Sequence, residues 1–218
     1  MKLKWFGHSS FGLTSKSGKT VLTDPYESGG YNGAIGYKPI SINADTVTIS
    51  HNHPDHNYTK TLSGNPIIID KKGNYEIADI KITGITAFHD CRQGKERGNN
   101  IIFIYEINNL RIAHYGDLGH MLPDKETTSL GRIDIILIPV GGHFTIDASQ
   151  ATDIIEKIKP RIVFPMHYKT AVLDFPISGV DEFLKGKNNI KRVLTSEVSI
   201  ATETLPSKTE IWILPYEK

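Results

Sequence analysis

Short apolar runs separated by polar turns fill the first half of the chain. KLKWFG, SFGLT and KTVLTD are each long enough for one strand, and SKSG, ending in Gly18, joins the last two as a hairpin. ADTVTIS, PIIID, YEIAD and IKITGITAF continue the pattern, as do IIFIYEI and RIAHYG, joined by a turn at Asn108 to Leu110. The second half changes period. DIILIPV, from Asp134 to Val140, is unbroken apolar sequence, as expected of a strand covered on both faces. Asp147 then precedes Ala151, Ile154, Ile155 and Ile158 at helical spacing, with Gln150 completing a variant capping box and Pro160 ending the helix. RIVFPMHY reads as a strand, GVDEFLKG as a short helix and EIWILP as a last strand. The glycine-rich stretch Glu27 to Pro39 has no periodicity and is expected to be a long loop. Hairpins throughout, with helices arriving late, predict two packed sheets with helices outside: an α/β (α+β) chain folded as a four-layer αβ/βα sandwich, one domain over residues 1–218.

Composition narrows the function classes. With 39% hydrophobic and 22% charged residues, the chain has the make-up of a globular protein able to build a core without staples. No apolar run approaches the ~20 residues of a membrane span, and the N-terminus lacks the apolar region of a secretory signal, so a cytoplasmic protein is expected. A net charge of +1 argues against nucleic acid as a partner. The expected partner is a small-molecule substrate, with no membrane role; a homo-oligomer stays open. The single cysteine, Cys91, excludes an intrachain disulfide and a multi-cysteine zinc knuckle, leaving His, Asp and Glu as metal ligands.

Three of the nine histidines crowd into SHNHPDH, residues 50 to 56. In extended chain His51 and His53 point the same way, and Pro54 has the φ of a first helical turn, so Asp55 and His56 can turn back toward the same centre. Imidazole and carboxylate together suit zinc, iron or manganese.

HNHPDH is similar to the H-x-H-x-D-H signature of the metallo-β-lactamase superfamily. The resemblance extends to Asp24 in LTDPY, to Asp117 in YGD and to His167 in PMHY; WFGHSSF, PVGGHFTID and PMHY resemble most closely the small metal-dependent hydrolases that include the L-ascorbate-6-phosphate lactonases. It implies two divalent metal ions, zinc first with manganese or iron as alternatives. One would be held by His51, His53 and His89, the other by Asp55, His56 and His167, with Asp117 bridging. His89 competes for its place with His114, His120 and His143. Asp24 is expected to accept a hydrogen bond from a ligand imidazole, its alternative being a turn-former before Pro25. Cys91 is read as a non-ligand.

The implied activity is metal-dependent hydrolysis of an ester, lactone or phosphoester bond, in which two metals share a hydroxide and Asp55 or His8 moves a proton to the leaving group. A mononuclear iron oxygenase on the same fold is the alternative, and a non-catalytic metal-binding module a more distant one. CRQGKERGNN, after His89, carries Arg92, Lys95 and Arg97 against Glu96 alone. Arg92 and Arg97, with Lys169 from the opposite side, are therefore candidates for binding a small anionic substrate, and the Glu27 to Pro39 loop for a movable cover.

Overall fold

A computed structural model describes residues 1–218. Alternation of side chains builds its first sheet: in β1 (Lys2–Gly7), Leu3 and Trp5 enter one core while Phe6 points into another. β1 is joined in a six-stranded sheet by β2 (Ser10–Thr14), β3 (Thr20–Thr23), β4 (Thr46–Thr48) and β5 (Ile67–Ile69), in that order. The second, eight-stranded sheet starts with β6 (Gly73–Ile77), β7 (Ile80–Phe88), β8 (Asn99–Ile107) and β9 (Leu110–His114), all antiparallel. It continues in parallel through β10 (Ile135–Pro139) and β11 (Ile162–Met166). β10 is buried at every position, as its unbroken apolar run demands.

Asn108 and Asn109 both take left-handed φ and Leu110 already pairs with Ile107, so the β8–β9 turn is a two-residue type I′ turn, tighter than the expected three. Asp147 caps the helix over Ala148–Ile158 with Gln150 in a full capping box, and Lys159 closes it in the left-handed region, one residue before Pro160.

Four elements have no sequence counterpart above. The helix Asp124–Ser129 buries no residue; with it, the three helices are α1 (Asp124–Ser129), α2 (Ala148–Ile158) and α3 (Val180–Leu184). β12 (Ile190–Arg192) and β13 (Glu197–Ser199) are three-residue edge strands, the former beside β14 (Glu210–Ile213). A single 3-10 turn covers Thr202–Thr204. None of them shows an apolar stripe, so periodicity has nothing to register.

The two sheets enclose the main core, with α2 and α3 packed on it outside the larger sheet. Outside the smaller sheet the covering layer is not helical. Phe6, Leu22 and Val47 pack there against Ile35 and Tyr37 of the long loop, Ile40 just after it, and Leu173, Phe175 and Ile177. No helix of the protein is long and apolar enough to cross a membrane.

Candidate metal centre

Each candidate ligand lies just beyond the carboxyl end of a strand, where loops from both sheets meet. His8 follows β1, Asp24 follows β3, and His51, His53, Asp55 and His56 follow β4, all from the smaller sheet. His89 follows β7, Asp117 follows β9 and His167 follows β11, from the larger. His8, Asp24 and His167 sit directly after their strands with φ of 50°, 37° and 50°. Non-glycine residues pay strain for that left-handed backbone, and such strain gathers where a side chain must be re-aimed at a site.

The side chains form two clusters that share one carboxylate. His51, His53 and His89 converge on one side; Asp55, His56, His167 and His8 converge on the other. Asp117 touches both: Oδ2 lies 3.4 Å from His89 Nε2, 3.8 Å from His51 Nε2 and 3.2 Å from His167 Nε2, and Oδ1 lies 3.2 Å from His56 Nε2. Of the four histidines that compete for this place, only His89 lies in the clusters. His114 Nε2 bonds Ser9 O at 2.8 Å, His120 is engaged with Phe88 N and Met121 O, and His143 packs on Phe144, all outside the clusters.

Asp24 is fully buried and accepts three hydrogen bonds: from Ser50 N (2.7 Å), Ser50 Oγ (2.5 Å) and His56 Nδ1 (2.9 Å). Ser50 Oγ lies in turn 3.0 Å from His51 Nδ1. One carboxylate therefore orients an imidazole in each cluster, leaving Nε2 of His51 and His56 buried without a hydrogen-bond partner. Asp117 Oδ1 is likewise without one. Asp117 itself is aimed by Asn100, whose Oδ1 accepts from Asp117 N while its Nδ2 donates to Tyr115 O, both at 2.9 Å.

Burial alone would raise the three carboxyls, but neighbouring imidazoles outweigh it and hold Asp24, Asp55 and Asp117 below the usual carboxylate range. Burial, with His56 beside it, pushes His51 down to about 3; burial and His167 push His8 down to about 4; burial lowers His89 as well. His56 goes the other way, because Asp117 and Asp55 overcome its desolvation. Ionised carboxylates beside His51, His8 and His89, whose charged forms burial disfavours, with inward ring nitrogens unpartnered, make a donor set suited to cations.

A cleft of about 450 Å³ opens on the centre. His53, Asp55, His89, Asp117 and His167 form its floor, and Tyr31, Phe144 and Phe175 an aromatic wall. His8 does not reach it: fully buried, its Nε2 lies 3.1 Å from Asp55 Oδ2, behind that carboxylate. Tyr31 Oη donates to Asp55 Oδ1 at 3.1 Å from the cleft side. Tyr31 was invisible to motif reading, its only signal being an aromatic at the tip of a glycine-rich loop; Ser50 was masked as the residue before His51. The loop's far half is pinned, since Ile35 bridges Leu173 and Gly36 N donates to Val172 O at 2.7 Å. Any cover is thus confined to the tip around Tyr31.

Of the three basic candidates only Arg97 lines the cleft, its guanidinium 5.7 Å from the Phe144 ring. Arg92 pairs with Glu96 at 3.2 Å and Lys169 with Asp174 at 2.7 Å, both away from the floor. Cys91 is exposed and belongs to neither cluster. The basic loop wraps around Asp90, whose carboxylate accepts the backbone N–H groups of Arg92, Gly94, Glu96 and Arg97 at 2.7 to 3.0 Å. Burial opposes ionisation there, but the four amides prevail and bring Asp90 down to about 2.

A domain family described as the beta-lactamase superfamily domain matches residues 2–167. A UPF0173 metal-dependent hydrolase of Thermococcus onnurineus is 32% identical over 198 residues, 78% of this chain and 85% of that one, and one of Methanosarcina barkeri is 31% identical over 197. A crystal structure from Thermotoga maritima, assigned to the Zn-dependent hydrolases of the metallo-β-lactamase superfamily, covers 99% of each chain at 33% identity with a TM-score of 0.82. The chain belongs to the metallo-β-lactamase superfamily and, within it, to the UPF0173 metal-dependent hydrolase family.

Proposed function

We propose that the protein is a hydrolase with two divalent metal ions, one held by His51, His53 and His89 and one by Asp55, His56 and His167, with Asp117 between them. The reading rests on one observation above all: the Asp117 carboxylate contacts imidazoles of both clusters while its own Oδ1 and two inward Nε2 atoms lack a partner. Bound there, two divalent ions would lower the pKa of a shared water and polarise a substrate oxygen. The chain supplies the rest. Asp24 keeps His56, and through Ser50 also His51, in the tautomer that presents Nε2. His8 and Tyr31 hold Asp55 from two sides, and Asp55, which reaches the cleft as a carboxylate, would take up the proton that the attacking water loses and hand it to the leaving group. Tyr31, Phe144 and Phe175 exclude water along one wall, and Arg97 attracts an anionic substrate.

The bond cleaved is an ester, lactone or phosphoester, and the likeness to L-ascorbate-6-phosphate lactonases puts a lactone among the first to test. Elemental analysis should return about two metals per chain, zinc before manganese or iron. A screen of the loaded protein over lactones, carboxylic esters and phosphodiesters should then show activity confined to one bond type. A fixed content of one iron, with no hydrolysis after zinc supplementation, would replace the reading with an oxygenase.

A further inference from the structure

Behind the His51–His53 wall lies a second hollow, about 790 Å³, that shares His51, His53 and Arg97 with the surroundings of the metal centre. Of its twelve lining residues only Ile101 is hydrophobic. Lys71, Lys72 and Arg97 line it against a single acidic residue, Asp70. None of the three cations is neutralised. Arg92 is paired with Glu96 and Lys169 with Asp174, whereas no carboxylate lies within ion-pair distance of Lys71, Lys72 or Arg97.

Two of the cations also stand on anchored backbone. Tyr75 Oη donates to Lys71 O at 3.0 Å, and Lys71 O packs on Gly84 of β7, where a Cβ would approach it to 3.0 Å. Arg97 N donates to Asp90 Oδ2 at 2.8 Å. The backbone beneath Lys71 and Arg97 is thus anchored, and their charged ends, beside a reactive centre and without internal partners, are free to converge on an anion.

We propose that this hollow is a phosphate subsite: it takes the phosphomonoester group of a small substrate whose scissile bond reaches the metal centre on the other side of His53, with Arg97 contacting the ligand at the junction. The inference rests on the hydrolase reading for the scissile bond alone; the phosphate site stands by itself. It turns a generally anionic substrate into a phosphorylated one, with its charge set apart from the bond that breaks.

The test is calorimetric titration of glycerol 2-phosphate into the metal-loaded protein, with glycerol as the neutral control. The wild type should bind the phosphate and ignore glycerol. Lys71→Ala/Lys72→Ala should bind it about tenfold or more weakly with unchanged metal content, and Lys71→Glu/Lys72→Glu more weakly still. Both lysines are exposed, so folding is not at stake. Equal binding by wild type and double variant would overturn the subsite, because the phosphate would then sit at the metals. So would absence of binding to the wild type, or preferential binding of a single-stranded oligonucleotide. In parallel, KM for a phosphorylated ester should rise in the double variant while KM for p-nitrophenyl acetate stays put. Failure to hydrolyse either ester would remove the hydrolase reading and leave the phosphate titration to judge the subsite.

Discussion

Asp24 shows how much one buried carboxylate can organise. Its three accepted hydrogen bonds reach His56 directly and His51 through Ser50, so replacing it disturbs both clusters at once. Asp24→Asn puts an amide donor where donors already point, and should weaken metal retention about 10- to 100-fold, read by competition with a chelator. Selective loss of one metal would contradict that shared role. Tyr31→Phe is a gentler probe, because the ring can keep its edge contact with Phe175 while Asp55 loses one donor. Turnover should fall about ten- to a hundredfold with metal content intact, the scale of a hydrogen bond to a charged group. The residues of the two clusters were legible because a coordination motif places particular side chains at particular spacings. Tyr31, Ser50 and Asn100 were not, since a hydroxyl or amide becomes functional here only through contacts made across the fold.

Among the elements, the turns after the strands carry the tightest demands. A Cβ on Gly119 would fall on the backbone of His89, and a Cβ on Gly141 on the carbonyl oxygen of His167. Each glycine lets a turn from one strand lie flat against the turn that carries a cluster histidine from another. Gly119→Ala should therefore displace His89 and empty chiefly the first metal position, whereas Gly141→Ala should displace His167 and empty chiefly the second. Stepwise zinc titration would separate them, and equal loss at both positions in either variant would refute the assignment. Overpacking of this kind costs about 1–3 kcal/mol, enough to move a ligand without unfolding the chain. Strands and the long helix were readable from periodicity because they bury a stripe or a face. α1, β12 and β13 bury too little to leave one, and the loop layer outside the smaller sheet is unreadable because aperiodic sequence looks alike whether it packs or floats.

At the scale of the molecule, the centre ties two sheets together. His51, His53, Asp55 and His56 come from the six-stranded sheet, and His89, Asp117 and His167 from the eight-stranded one, so each proposed metal position draws ligands from both. Without cations, the ends of both sheets press ionised carboxylates and unpartnered imidazole nitrogens into one buried volume. Metal binding relieves that cost only in the folded state, and at about a thousandfold excess over Kd contributes about 4 kcal/mol per site. For a chain of this size, about 2–4 °C per kcal/mol translates into a Tm about 8–16 °C higher for each tightly held ion. Calorimetry of chelator-treated and zinc-reloaded protein measures the shift. The location of the effect tests the geometry further, because a clamp between sheets should protect both of them. Hydrogen exchange of β4 and of β9 should then accelerate together when metal is removed, whereas acceleration restricted to residues 51–56 would mean that the ions order one loop and leave the sandwich indifferent to them.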